Sequence, residues 1–188
     1  VLQAYKPTTM LTVPMIIEKI YRAKVKPALT KSPVLRTLMK VGVTRKLLSR
    51  AAANKLKAFF GGEMRFFGVG GAPLAPDVEK FLIEGGFPYA IGYGLTETSP
   101  MIAGFDPDHA IYRSVGTVME ECVVKIDNPD PVTHEGEIVV TGPNIMKGYY
   151  KDEEKTREVF TKDGFFKTGD LGYMDKNGIL FIRGRSKN

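Results

Sequence analysis

The spacing of apolar and polar positions changes along the chain, from helical periodicity to short β-type runs. Apolar residues of the first sixty positions recur every three or four residues, as Ile16, Ile17 and Ile20 do. We expect this part to be helical. A first helix would start at Thr12-Val13-Pro14, with a hydroxyl cap and a proline in the first turn, and a second, over residues 44–59, would end at Gly61-Gly62.

A repeating order of strand, glycine-rich loop and helix follows. Apolar strands over residues 64–69 and 88–91 each lead into a glycine-rich stretch, "GGAPLAPD" and "GYGLTETSP", and a helix separates them. This βαβ order predicts parallel strands. Both loops would then lie at the carboxyl ends of the strands, where open α/β sheets bind ligands.

Short β-type runs bounded by turn signals dominate the rest of the chain. One helix, over residues 152–160 with Asp152 as its cap, interrupts them. The pattern predicts an α/β fold in two parts: residues 1–108, helical and βαβ with parallel strands, and residues 109–188, a small β-rich barrel-like or sandwich subdomain. The predicted strands are residues 115–118, 122–126, 137–141, 169–174 and 179–183.

Charge is divided unevenly within the net value of +6. Residues 1–60 hold thirteen Lys or Arg and a single acid, Glu18, for +12, so the remainder carries −6. Such a segment can face anionic lipid, nucleic acid or a phosphate-bearing substrate. With no nucleic-acid motif or interleaved aromatics, we expect no nucleic-acid partner and favour a solvated helix face; peripheral membrane contact is the open alternative.

Composition sets few further limits on function. The single cysteine, Cys122, excludes an internal disulfide and fits a reducing compartment, so we expect a cytoplasmic protein, with the inner membrane face as the alternative location. No apolar run approaches the roughly 20 residues of a membrane span. His109 and His134 are far apart, so metals other than Mg²⁺ are not expected.

The stretch "GYGLTETSP" has the composition of a nucleotide-binding loop. Gly92 and Gly94 permit close backbone approach, and Tyr93 offers a ring for stacking on a base. The hydroxyl of Thr96 can bind phosphate, and the carboxylate of Glu97 suits Mg²⁺. A tight βα turn around a buried tyrosine is an equally open alternative.

Two later stretches add polar candidates. In "GFFKTGDLGYMD", Asp170 follows a glycine within an apolar run, and a buried carboxylate there could accept hydrogen bonds from a ribose diol. Its alternative role is to cap a turn. In "RGRSKN", Arg183, Arg185 and Lys187 alternate; Arg185 could meet ribose or phosphate, or belong to a basic tail.

Taken in order, five motifs resemble the core motifs of the adenylate-forming enzymes, from residue 64 to residue 188. They are "GGAPL", "GYGLTET", "GEIVVTGPNIMKGYY", "GFFKTGDLGYMD" and "RGRSKN". The earlier "TVPMIIEKIY" resembles the long-chain fatty acyl-CoA synthetase branch. The resemblance implies a partial acetyl-CoA synthetase-like fold and a ligase that uses ATP, Mg²⁺, coenzyme A and a long-chain fatty acid.

By the same resemblance, Tyr93 would stack on adenine, Thr96 would touch the α-phosphate, and Glu97 would hold Mg²⁺. Thr96 and Glu97 would be catalytic. Asp170 would bind the ribose hydroxyls with Arg185 nearby. Ile91, Gly92 and Gly104 would border the acyl pocket. The expected nucleotide-binding set is Gly70, Gly71, Ala72, Pro73, Ile91, Gly92, Tyr93, Gly94, Leu95, Thr96, Asp170 and Arg185.

The chain departs from the family pattern at several positions, and these departures decide whether we expect the chain to be active by itself. Phe165 stands where many relatives have Trp, and Ile91 where many have Gln. The family's phosphate loop ending in Pro-Lys-Gly and its C-terminal catalytic lysine are not found. We therefore expect a middle fragment that folds but is inactive alone, with the N- and C-terminal parts of the same protein as partners.

Two other functions stay open at this point. One is an adenylation domain for an amino or aryl acid; "TVPMIIEKIY" and the lack of an acid-binding Asp after the helix that follows "GGAPLAPD" argue against it. The other is a non-catalytic module that binds nucleotide or a membrane surface through its basic segment.

Overall fold

A computed structural model describes residues 2–186 of the chain. The helices are α1 (Leu2–Tyr5), α2 (Pro14–Ile20), a π-helical turn (Tyr21–Val25), α3 (Lys26–Leu29), α4 (Pro33–Leu38), α5 (Gly42–Phe59), α6 (Pro76–Gly85), a 3₁₀ turn (Thr96–Thr98) and α7 (Glu153–Glu158). The strands are β1 (Thr9–Thr12), β2 (Phe66–Gly70), β3 (Tyr89–Tyr93), β4 (Ala103–Phe105), β5 (Gly116–Val118), β6 (Val123–Asp127), β7 (Gly136–Thr141), β8 (Phe166–Met174) and β9 (Ile179–Arg185).

The chain forms two compact units. The first contains the residues up to Ile91 and the segment Asp106–Tyr112, and the second contains Gly92–Phe105 and the chain from Arg113 onward. The chain therefore passes from one unit to the other after Ile91, after Phe105 and after Tyr112. The sequence pattern predicts a single boundary, after residue 108.

The first unit is a helical layer around a short sheet. β1 pairs in parallel with β2, from Thr9 opposite Phe66 to Thr12 opposite Val69. α5 packs on α6 where Gly85 leaves room: a Cβ there would lie 2.7 Å from the Cβ of Ala53. The rings of Phe60, Phe67 and Phe87 form the centre of this unit, with centroids 5.3–6.2 Å apart.

The second unit is built on an antiparallel sheet, with strand order β4-β5-β9-β8-β7-β6. Its core is a cluster of buried side chains that removes apolar surface from water. The cluster consists of Tyr93, Ile102, Ala103, Ile138, Val140, Phe166 and Leu180.

The predicted α/β class is confirmed, as are the β-rich second part and most element positions. The helix capped by Asp152 is present, and the Asp152 carboxylate accepts a hydrogen bond from Lys155 N at 3.0 Å. Two local predictions were wrong. Residues 9–12, expected to be helical, form β1, and Thr12 lies in that strand instead of capping α2, whose N-cap is Val13. Within residues 2–186, no helix is both long and apolar enough to cross a membrane.

Candidate functional site

A buried carboxylate marks the junction of β8 and β9. Asp170 lies opposite Arg185 in the register of these strands, and Arg185 Nε approaches Asp170 Oδ1 at 3.0 Å. The other oxygen, Oδ2, accepts a hydrogen bond from the Tyr93 hydroxyl at 2.8 Å. The side chain of Asp170 is 9% exposed and that of Arg185 is 61% exposed, so the carboxylate faces inward and the guanidinium reaches solvent.

Tyr93 takes part in this group as a hydrogen-bond donor. Burial is the largest of the effects that raise the pKa of its hydroxyl, and the neighbouring Asp170 raises it further. The hydroxyl therefore keeps its proton and donates a hydrogen bond to Asp170. Only 8% of Tyr93 is exposed, so most of its ring faces protein.

The backbone before Asp170 is fixed by hydrogen bonds to β7. The Thr168 hydroxyl donates to the carbonyl of Ile138 at 2.8 Å and accepts from Asp170 N at 3.1 Å. Gly169 N donates to Glu137 Oε1 at 3.1 Å. Gly169 has a φ of +72°, a conformation that L side chains rarely adopt, which explains the glycine in "TGD".

The loop after β3 is tightly folded and carries Thr96 and Glu97. An ideal Cβ on Gly94 would lie 1.7 Å from the carbonyl oxygen of Pro100, so only glycine fits there. The Thr98 hydroxyl accepts from Leu95 N at 2.9 Å and lies 2.9 Å from Pro100 O. Thr96 is exposed, whereas Glu97 is partly buried.

A second segment, residues 144–149 after β7, holds this loop in place. Asn144 Nδ2 donates to the carbonyls of Thr98 and Met101, each at 2.7 Å. Met146 N donates to the Glu97 carbonyl at 2.8 Å, and the Tyr149 hydroxyl donates to Glu97 Oε1 at 2.9 Å. Glu97 is thus held by both its backbone and its side chain.

Sequence reasoning missed Asn144 and Tyr149, although both lie in the quoted motif "GEIVVTGPNIMKGYY". Both side chains can form hydrogen bonds and lie in the loop that follows the buried strand β7, and this was the available signal. Nothing in the sequence indicated which loop these side chains contact, because the hydrogen bonds join residues 43–52 positions apart.

The described residues supply few ligands for a divalent cation. Within the described part of the chain, no group of three or more His, Cys, Asp or Glu side chains could hold a metal ion. Glu97 has one oxygen engaged by Tyr149, which leaves the other as a candidate ligand. Mg²⁺ is commonly bound by one or two carboxylates together with substrate phosphates, so Glu97 fits a shared site of that kind.

The predicted site residues fall into both units. Tyr93, Asp170 and Arg185 are in direct contact, and Gly94, Leu95, Thr96 and Glu97 share one loop, all in the second unit. The stretch from Gly70 to Pro73 and Ile91 belong to the first unit, where Gly71 to Pro73 are exposed between β2 and α6. The predicted basic position Lys187 lies outside the described residues.

Comparison with known proteins finds a matching family and several similar ligases and synthetases. The sequence profile of the AMP-binding enzyme family matches residues 1–150. The peroxisomal long chain acyl-CoA synthetase 7 of Arabidopsis thaliana is 36% identical over 97% of this chain, which spans 29% of that relative. A probable 4-coumarate–CoA ligase 2 of Dictyostelium discoideum is 42% identical, but over only 63% of the chain and 23% of its own length.

The fold also matches solved structures. ATP-bound MatB from Rhodopseudomonas palustris superposes with a TM-score of 0.71 at 29% identity, over 97% of this chain and 32% of that protein. The agreement extends across nearly all of this chain.

Proposed function

This chain belongs to the AMP-binding enzyme family, and from that premise we propose that it is part of an ATP-dependent ligase that activates a long-chain fatty acid and transfers it to coenzyme A. The observation that carries the proposal is the fixed loop with Glu97 beside β3, in the same unit as the buried Asp170 group. The ATP-bound neighbour supports ATP as the nucleotide.

The choice of a long-chain acid rests on how far the relatives match. The Arabidopsis acyl-CoA synthetase aligns with 97% of the chain and the Dictyostelium coumarate ligase with 63%. The greater extent of the match thus favours the long-chain branch. An aryl acid is the second candidate, because the coumarate ligase has the higher identity where it does align.

The proposed reaction has two steps. A carboxylate oxygen of the acid attacks the α-phosphorus of ATP; the bond from this phosphorus to the bridging oxygen breaks, and pyrophosphate leaves with the electron pair. The thiol of coenzyme A then loses its proton to water and its sulfur forms a bond to the acyl carbon; the bond from this carbon to the phosphate oxygen breaks, and AMP leaves with the electron pair. Negative charge develops on phosphate in the first step, so positioned charges are the main aid the protein can give.

Each side chain has a proposed task in this reaction. Asp170 accepts hydrogen bonds from the ribose hydroxyls, since Tyr93 and Arg185 occupy two of the roughly four acceptor positions of a carboxylate. Thr96, exposed on the loop, binds the α-phosphate. Glu97 is the carboxylate for Mg²⁺, an ion that neutralises phosphate charge when bound.

The experiment that tests this function offers the full-length protein a mixed pool of long-chain, aryl and amino acids with ATP, Mg²⁺ and coenzyme A. Mass spectrometry then identifies the adenylate and the thioester. We expect long-chain acyl-AMP and acyl-CoA. Aryl products alone would favour the second candidate, and the absence of any adenylate would refute the ligase proposal.

Replacing Asp170 by alanine is expected to weaken ATP binding by about 10- to 100-fold, equivalent to roughly 1.5–3 kcal/mol for hydrogen bonds to a charged group. The physical reason is the loss of the acceptor for the ribose diol. Isothermal titration of the full-length variant measures the effect. Asp163→Ala, which removes an exposed aspartate of the same unit, is the matched control. Equal ATP affinity in the two variants would remove Asp170 from the site.

Replacing Tyr149 by phenylalanine is expected to raise the Mg²⁺ concentration for half-maximal adenylate formation by about 3- to 10-fold, because Glu97 loses a hydrogen bond worth ~1 kcal/mol. Burial, and next Glu97, raise the pKa of Tyr149, so its hydroxyl remains a donor at neutral pH. Tyr150→Phe is the control, since Tyr150 is 88% exposed. A lower rate with an unchanged Mg²⁺ requirement would show that Tyr149 is only structural.

A further inference from the structure

The first unit carries an unusually one-sided charge. From Lys19 to Gly62 the sequence contains twelve Lys or Arg residues and no Asp or Glu. Three of the twelve are ion-paired: Arg22 with Glu18, Lys26 with Asp77, and Arg45 with Glu84. The other nine form no ion pair within residues 2–186, so the segment presents excess positive charge.

Aliphatic side chains are exposed in the same segment. Val34 on α4 is 67% exposed, and Val41, just before α5, is 52% exposed. On α5, Val43 and Leu47 are 72% and 64% exposed and lie one turn apart. We call residues 34–50 the basic-apolar segment.

The orientation of α5 explains this exposure. Ser49, Ala53 and Leu56 form its buried side, and the helix packs on α6 through that side. Val43, Leu47 and Arg50 recur at intervals of four and three residues, so they share a different face, and all three are exposed together with Lys46. The outward face of α5 thus combines aliphatic and basic side chains without any acid.

This combination distinguishes between charged partners. Basic side chains attract anionic headgroups, and helices that lie in the membrane interface place aliphatic side chains among lysines and arginines. Single-stranded nucleic acid is typically bound by basic grooves with aromatic side chains for base stacking. Residues 30–58 contain no aromatic residue. A lipid surface uses both features of the segment.

We propose that the basic-apolar segment docks the protein on an anionic membrane surface, with Val43 and Leu47 entering the headgroup boundary and Lys46 and Arg50 contacting lipid phosphates. This proposal is independent of the ligase activity. Failure of one in experiment leaves the other standing.

Flotation with lipid vesicles tests the proposal on the full-length protein. We expect binding to vesicles that contain phosphatidylglycerol, weak binding to pure phosphatidylcholine, and release at high salt, since salt screens exposed charges. The double variant Lys46→Glu/Arg50→Glu should lower the partition coefficient by at least about tenfold. Leu47→Asp should lower it as well, by about 3- to 10-fold, through the lost aliphatic contact.

Matched controls come from exposed positions of the second unit. Lys162→Glu/Lys176→Glu makes the same change in charge, and Val132→Asp replaces a valine that is 84% exposed. Both controls should bind vesicles within about twofold of wild type, as expected for charges remote from a docking surface. All variants should retain the wild-type circular dichroism spectrum.

Three outcomes would overturn the proposal. Equal binding to neutral and anionic vesicles would show that charge does not direct contact. Equal losses in the test and control variants would show that only net charge matters. No binding of folded wild-type protein to anionic vesicles would show that the basic-apolar segment does not dock the protein on a membrane.

Discussion

Replacing Glu97 by glutamine should lower the rate of adenylate formation by about 100-fold or more, the loss typical of removing one electrostatic contact to developing charge. Glutamine keeps the size of the side chain and an oxygen that can accept the Tyr149 hydrogen bond, and the hydrogen bond from Met146 N to the backbone carbonyl is unaffected. What is lost is the negative charge that a hard cation prefers. The loop should therefore keep its shape while Mg²⁺ is held weakly.

Acid-dependent exchange of pyrophosphate into ATP, measured over a series of Mg²⁺ concentrations, quantifies this effect in the full-length protein. Added Mg²⁺ should rescue the variant only in part. Glu154→Gln, at an exposed position of α7 in the same unit, is the control and should behave as wild type. Wild-type exchange and Mg²⁺ dependence in Glu97→Gln would assign Glu97 a structural role.

Replacing Gly94 by alanine should have the largest effect on the structure of the site. The added Cβ would lie 1.7 Å from Pro100 O and 2.7 Å from Pro100 C, both backbone atoms, so the loop itself must move. We expect the free energy of unfolding to fall by roughly 3 kcal/mol, at the upper end of overpacking costs. Adenylate formation should fall as well, because Thr96 and Glu97 lie in the displaced loop.

Denaturant unfolding and the exchange assay measure these two effects. Gly42→Ala is the matched control, since nothing lies within 4 Å of its ideal Cβ. Gly42 is the first residue of α5, where alanine favours the helix, so the control should be neutral or slightly stabilised. Wild-type stability and activity in Gly94→Ala would show that the loop adapts without cost.

The parts of the fold that the sequence predicted well are those determined locally. The capping residue Asp152 was enough to predict the helix that follows it, and the spacing of apolar residues was enough to predict α5. β1 was missed because its four residues are stabilised by β2, more than fifty positions later in the chain. Thr12 was assigned to a cap since its hydroxyl precedes Pro14, but pairing with Val69 holds it in the strand.

The same limit applies to the candidate site. Glycine content and side-chain chemistry marked the loop after β3 and Asp170 as candidates. The hydrogen bond from Tyr93 to Asp170 joins residues 77 positions apart, and the contacts from Asn144 and Tyr149 depend on where the chain returns after β7. Pairings of this kind follow from the tertiary structure, which composition and spacing do not specify.

The most direct test of the site is a crystal structure of the full-length protein with a stable acyl-AMP analogue. The proposal predicts the ribose hydroxyls within about 3.2 Å of the Asp170 carboxylate, which is hydrogen-bond distance. It also predicts the α-phosphate, or the group replacing it, beside the Thr96 hydroxyl. An adenosine bound elsewhere, with Asp170 still contacting only Tyr93 and Arg185, would contradict the assignment of this site.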